Sequence, residues 1–382
     1  MTISQSSARR NGTEPDADTQ LTVRGLCKQF GEEFCLSDID LTVGSDEIVA
    51  LLGPSGCGKT TTLRCIAGVE TPDDGRIHID GDLVFGDGHD APPERRDVGM
   101  VYQSYAIWPH KSVYENVVFP LEHADHDVPA DEYDRRVREM LELMEIGDLV
   151  DNPATDLSGG QQQRTALARS LVHDPNLLLL DEPLSNLDKE LRKQMRYELQ
   201  RIQHELGVSM LYVTHSQEEA FYLADRVLVM NDGGLVECGT PRQLYERPKS
   251  PFTRQFIGVR NCFSGTIHHD SEAIVHSDLV EFPLETADYV ANGNETDDVT
   301  CFLRPDDITL DPAREPANGH VEVGGSVVAE GLLGEHYEVS VKCENADVEL
   351  VVHTNPSREF DRGDSVRLRF QPERLQVYES DR

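Results

Sequence analysis

The chain has 382 residues, long for one average domain and short for three, and it carries 70 Asp and Glu against 35 Lys and Arg, a formal net charge of −35. A field of that sign repels nucleic acid and anionic lipid over most of the surface, which argues against a nucleic-acid-binding body. No run of about 18 apolar residues occurs, and the N-terminus lacks the apolar core of a signal peptide, so the sequence predicts a chain that neither spans a membrane nor is exported.

Residues 1–18 hold almost no large apolar side chain and are expected to form a flexible tail, because they bury too little to offset the entropy of ordering. From Leu21 to about Asp232, short apolar strands alternate with amphipathic helices, which predicts an α/β domain on a mostly parallel sheet. Buried strands are expected at 47–52, 177–180 and 210–213. Tyr133, Val137, Met140, Leu141 and Met144 share one helical face and predict a helical insertion. Leu191, Met195, Leu199, Ile202 and Leu206 mark a further helix, closed by Gly207. Thr240 precedes Pro241 as a capped helix start leading into Tyr245. From about Cys262 the strands alternate in period two, Tyr337/Val339/Val341 and Val366/Leu368/Phe370 among them, between Gly, Asn, Asp and Pro turns. That is the pattern of a small all-β barrel domain. The expected organisation is a tail at 1–18, an α/β domain at 19–250 with a helical subdomain at about 104–172, and a β domain at 251–382.

Three segments carry chemistry. Gly53, Pro54, Ser55, Gly56, Cys57, Gly58, Lys59 and Thr60 follow a buried strand and open a helix, the context in which GxxxxGK[ST] becomes a phosphate cradle. Its glycines let backbone N–H groups approach phosphate, and the helix N-terminus favours the anion. Lys59 is expected to neutralise phosphate charge, Thr60 to coordinate Mg²⁺, and Thr61 to adjoin the nucleotide. The second segment is an apolar strand ending in Asp181 and Glu182, which places Asp181 in the magnesium shell and Glu182 as the general base for water. The third is Leu157, Ser158, Gly159, Gly160 and Gln161 before a helix, a second anion-binding device where one nucleotide needs only one.

With these motifs the chain resembles the ABC ATPases over roughly 21–259, a P-loop fold whose LSGGQ segment binds the γ-phosphate of ATP held by a partner subunit. The resemblance implies ATP and Mg²⁺ as ligands and a homodimer. It makes Gln103 the Q-loop glutamine beside the metal, Ser185 to Asp188 the D-loop, and His215 the switch histidine. Phe30 stands where the family stacks an aromatic ring on adenine, with a core phenylalanine as the equal alternative.

Between Gln103 and Ser158 lie 54 residues, enough for a compact helical subdomain and far too few for the long coiled coil of DNA-repair relatives. A β domain after the ATPase, without membrane helices, resembles importer subunits and implies a place at the cytoplasmic face of the membrane. Separate transmembrane permease subunits are then partners, with an extracellular solute-binding protein acting indirectly. Residues 104–117, with Trp108, resemble the segment that receives the permease's coupling helix, an apolar groove suited to a helix. Leu303 to Ile308 are similar to the family's accessory-domain RPE-D-I segment, with Asp306 in place of Glu. At the junction, Phe256 to Asn261 resemble ferric-iron, polyamine and oxyanion importers more than sugar importers. A soluble regulatory ATPase is the reading from another class, and it would make Tyr105 and Trp108 buried core.

Only seven of the 35 basic residues are Lys, and the acidic excess runs from Asp16 to Asp381. The bias serves solvation first and looks like that of organisms that accumulate salt in the cytoplasm. The eight cysteines show no CxxC spacing, which predicts reduced, mostly buried structural thiols rather than a zinc site or disulfides.

Overall fold

Three runs of five or six residues, Ile48–Leu52, Leu177–Asp181 and Ser209–Thr214, are buried at every position. Strands without polar alternation need cover on both faces, the condition of a parallel sheet between helices. The computed structural model describes residues 18–31, 33–123, 128–258, 261–269, 272–291, 296–311, 320–334, 336–344, 346–355 and 359–380. Apart from Asp18, the expected tail lies outside the described residues. The chain divides into two units, 1–241 and 242–382, a break nine residues before the expected one.

The first unit runs β1 (Thr19–Phe30), β2 (Glu33–Gly44), β3 (Ile48–Leu52), α1 (Lys59–Ala67), β4 (Asp74–Ile79), β5 (Asp82–Gly86), β6 (His89–Asp90), β7 (Val98–Val101) and α2 (Val113–His123). It continues through α3 (Tyr133–Leu143), α4 (Gly159–Leu171), β8 (Leu177–Asp181), α5 (Lys189–Leu206), β9 (Ser209–Thr214), α6 (Gln217–Leu223), β10 (Arg226–Asn231) and β11 (Gly234–Gly239). The central sheet has the order β11-β10-β3-β9-β8-β7. Strands β10, β3, β9, β8 and β7 are parallel, and β11 closes one edge antiparallel. The carboxyl ends of four neighbouring strands therefore open on one side, where α/β sheets bind ligands. The residues that follow those ends are Gly53 after β3, His215 after β9, Glu182 after β8, and Tyr102 and Gln103 after β7.

A second, antiparallel sheet of order β2-β1-β4-β5-β6 was not expected from the pattern. Register shifts between Val23 and Leu26 and between Leu26 and Lys28 interrupt the period-two alternation that would have announced it. Its inward residues Leu21, Val23, Leu36 and Ile39 share one core with Leu63 and Ile66 of α1 and Leu51 of β3. The helix behind the phosphate loop is thus held between two sheets. The expected insertion helix is α3, which buries Val137 and Leu141, and α5 starts on an Asp188 cap and ends at Gly207.

In the second unit, one sheet includes Asn261–His269, Ala273–Ser277 and Asp298–Leu303, and another includes Val321–Leu332, Tyr337–Cys343, Glu349–Thr354 and Ser365–Phe370. Pairing is antiparallel except where Asp288–Val290 runs parallel to Gln376–Glu379. Phe263, Val275 and Cys301 from the first sheet meet Val339, Val341 and Leu368 from the second in one core, a curled β domain.

Candidate functional site

The phosphate loop is shaped by contacts that only glycine permits. Gly58 has φ 101°, and a Cβ there would lie 2.6 Å from Leu36 Cδ2 and 2.7 Å from the Cys35 carbonyl oxygen. A Cβ on Gly53 would strike the Met230 carbonyl. Lys59 is buried at the centre of the turn, and its ammonium donates to the carbonyls of Gly53 at 2.9 Å and Pro54 at 2.8 Å. Ser55 and Gly56 are exposed at the rim, while Cys57 is buried, with its thiol pushed up in pKa by burial and partly opposed by Lys59. Thr61 accepts a hydrogen bond from the Cys35 thiol at 3.2 Å.

Thr60 Oγ1 donates to Asp181 Oδ1 at 2.8 Å, joining the start of α1 to the end of β8. Burial pushes the Asp181 carboxyl above the usual carboxylate range, with the Thr60 hydroxyl, Arg64 and Lys59 opposing it and Glu182 adding to it. This hydroxyl and carboxylate, one hydrogen bond apart in the first turn of a phosphate-loop helix, are hard oxygen donors of the kind Mg²⁺ takes. The residues fit that ion.

Three segments converge on Glu182. Its Oε2 lies 3.3 Å from Gln103 Nε2 and 3.1 Å from His215 Nδ1. Ser185 joins the group, 3.4 Å from Gln103 Nε2, and its hydroxyl donates to the Glu182 carbonyl at 2.9 Å. Glu182 itself has φ 45°, the left-handed region where a residue with a side chain is strained, and its N–H donates to Val213 O at 3.0 Å. Asn186 Nδ2 donates to Gln103 O at 2.8 Å.

Ser158 caps α4 reciprocally with Gln161: Ser158 N–H donates to Gln161 Oε1 at 2.8 Å, and Gln161 N–H reaches Ser158 Oγ at 3.4 Å. Ser158 and Gly159 are exposed, and Gly160 is buried against Leu191. Asp188 Oδ1 accepts from the N–H groups of Glu190 and Leu191 at the head of α5. Phe30 is 48% exposed with the Lys28 ammonium 5.1 Å from its ring centre, so the core alternative for this ring is excluded.

Trp108 is half-buried, its ring 4.3 Å from that of Phe119, while Tyr105 is buried. Trp108 and Phe119 border a groove of about 510 Å³ lined also by Met100, Tyr102, Ala106 and Arg169 among others. Of the cysteines, Cys57, Cys65, Cys301 and Cys343 are buried, but Cys238 and Cys262 are exposed, against the expectation of mostly buried thiols.

Sequence reasoning missed the supports of these groups. Glu219 of α6 is buried and accepts from Tyr212 at 2.9 Å and Thr214 at 2.8 Å, bracing the turn that carries His215. Arg192 lies 3.6 Å from the same carboxylate and donates to the carbonyls of Leu184 and Leu187. A charged residue on the buried face of an amphipathic helix is the signal that would have found them.

A parallel-stranded P-loop core with motifs at the carboxyl ends of its strands and at the head of α4 defines an ATP-hydrolysing enzyme of the ABC type. Residues 36–185 match the ABC transporter family and 301–377 the TOBE domain. The spermidine/putrescine import ATP-binding protein PotA of Clostridium acetobutylicum is 39% identical over 363 residues, 95% of this chain and 97% of the relative. The xylose/arabinose import ATP-binding protein XacJ of Haloferax volcanii is 37% identical over 370 residues, 95% of this chain and 94% of the relative. The solved structure of cbiO1 from Clostridium perfringens, part of an ABC transporter complex, has a TM-score of 0.53 and 30% identity, covering 60% of this chain and 92% of that one. The chain belongs to the ATP-binding subunits of ABC importers. Among the described residues no helix is long and apolar enough to cross a membrane.

Proposed function

We propose that Glu182 is the general base of ATP hydrolysis, taking a proton from the attacking water while Gln103 and His215 hold its carboxylate in place. The observation that carries this reading is the convergence of Gln103 and His215 on one carboxylate oxygen of Glu182, the residue next to the Asp181 that pairs with Thr60. Lys59 and the backbone N–H groups of residues 55–61 bind the phosphates, and Phe30 stacks on adenine. Thr60, Asp181 and Gln103 hold Mg²⁺, which when bound neutralises phosphate charge. Ser158, Gly159, Gly160 and Gln161 meet the nucleotide of a second subunit, with Asp188 beside that junction.

The test is Glu182→Gln, which keeps shape and removes basicity. Turnover is expected to fall by about 10² to 10⁴ with ATP binding retained. A fall of less than about tenfold overturns the assignment.

The functional division follows 19–250 for ATP hydrolysis and 251–382 for the accessory domain. Permease subunits dock at the Trp108 groove, which sets the protein on the cytoplasmic face of the membrane. Relatives of similar coverage are named for polyamine, ferric-iron and pentose import. The residues from Phe256 to Asn261, of which 259–260 lie outside the described residues, favour a polyamine, ferric iron or an oxyanion over sugar. Calorimetry of the companion solute-binding protein against these four classes decides the point, and sugar binding alone would reverse it.

A further inference from the structure

Helix α4 carries one charged side chain among its buried residues. Arg169 is 7% exposed, its Nη1 donates to Ala106 O and its Nη2 to Tyr105 O, each at 2.8 Å. The guanidinium carbon lies 4.8 Å from the centre of the Trp108 ring. Burial holds this guanidinium below the ordinary arginine range. Desolvating a cation is costly, and here two charge-assisted hydrogen bonds and an indole face offset the cost.

The two carbonyls belong to an unusual corner. Tyr105 has φ 61° and Ala106 φ 48°, consecutive left-handed residues with side chains. Each is biased against that geometry by roughly five- to thirtyfold. The Tyr105 hydroxyl is buried and finds no partner among the described residues, so its side chain does not anchor the corner by a hydrogen bond. Two residues upstream stands Gln103. Helix α4 is meanwhile fixed to β7, since Ser170 Oγ donates to Met100 O at 2.9 Å and Gly99 leaves no room for a Cβ against the Ser170 carbonyl.

We propose that Arg169 is a positioning residue for hydrolysis: its two-pronged guanidinium holds the left-handed corner at Tyr105 and Ala106, and the corner sets the Gln103 carboxamide against Glu182. The assignment rests on the role proposed above for Gln103. Because α4 begins at Ser158, about 16 Å from Arg169 along the helix axis, the same contact makes the Gln103 loop and the Ser158 turn one body.

Lysine keeps the charge but loses the planar fork and the ring stacking. In the full-length chain, Arg169→Lys is expected to lower kcat about tenfold with KM for ATP kept within about twofold, because Lys59 and α1 are untouched. Trp108, the only tryptophan, is expected to shift its emission. Glycine tolerates the left-handed corner, so Ala106→Gly in the Arg169→Lys background is expected to restore kcat by at least about threefold, measured against Ala106→Gly alone. Absence of that rescue, or wild-type kcat in Arg169→Lys, overturns the proposal. Ala106→Val leaves Arg169 in place but opposes the corner, and it is expected to lower kcat at constant KM. Wild-type turnover there overturns the proposal even where Arg169→Lys does not fold. Gln103→Ala separates the two readings. If it slows turnover and Arg169→Lys adds its full loss on top, Arg169 does not act through Gln103 and the proposal fails while the Gln103 reading stands. If Gln103→Ala turns over normally while glycine rescue is seen, the Gln103 reading fails and the holding of the corner stands.

Discussion

Thr60 Oγ1 lies 2.8 Å from Asp181 Oδ1 across 121 residues of sequence. The pairing puts a carboxylate into the packed space between α1 and β8, where burial raises its pKa above the usual carboxylate range. An acid whose folded pKa exceeds its unfolded one contributes stability that is complete below the unfolded pKa and is lost as pH rises through the folded pKa. At neutral pH Asp181 is therefore a destabilising charge in the chain without ligands.

Asp181→Asn keeps an acceptor for Thr60 and removes that charge. Without magnesium or nucleotide, its melting temperature at pH 7 is expected to exceed that of the wild type, and the difference is expected to close as the pH falls below about 4. ATP turnover is expected to drop at least about a hundredfold. A lower melting temperature at pH 7 would show that the carboxylate is a net stabiliser.

Salt tests the charge balance. At α3, the exposed Arg135 pairs at 2.8 Å with Glu139 and with the half-buried Glu132 just before the helix, and Arg138 pairs with Asp134 at 3.0 Å, both exposed. Such exposed pairs contribute little and weaken as salt rises. The net charge of −35 works the other way, since its self-repulsion is screened by salt. With acids twice as numerous as bases, repulsion dominates. The melting temperature is expected to rise between about 0.1 M and 2 M salt, over which the Debye length falls severalfold from about 10 Å. A flat or falling curve refutes the assignment of the acidic surface to a salt-rich cytoplasm.

The central strands were legible because their burial is continuous: Ile48–Leu52 and Leu177–Asp181 have no polar face to hide them. The phosphate loop, Asp181 and Glu182 were legible because each ends or directly follows such a strand, and parallel pairing brings the strand ends together. What the sequence did not reveal depends on contacts far apart along the chain. The sheet containing β1 and β2 is disguised by its register shifts. Arg169, Arg192 and Glu219 act through main-chain carbonyls and buried hydroxyls, partners that leave no spacing to read. Phe30 was undecided because an exposed ring and a core ring look alike in sequence, and the surrounding packing makes the distinction.

The turn around Lys59 is proposed to cradle one nucleotide, yet α4 offers another helix N-terminus at Ser158 and Gly159, both exposed. These amides are expected to act on ATP bound by Lys59 of another chain, in a head-to-tail dimer. Mixing a Lys59→Ala chain with a Ser158→Arg chain, each inactive alone, puts both lesions on one composite site and leaves the other intact. Nucleotide binding at the intact site is expected to return, and turnover with it where the two sites fire independently. Proximity decides the geometry. Ser55 is exposed at the rim of the phosphate loop. Cysteines are placed at Ser55 and Ser158, with Glu182→Gln to hold ATP and with serine replacing the exposed Cys238 and Cys262 and the half-buried Cys27 and Cys35. Disulfides between chains are expected with ATP and not without it. Bonds found only within a chain, or none with ATP present, would exclude the head-to-tail arrangement and return Ser158 to the role of a helix cap.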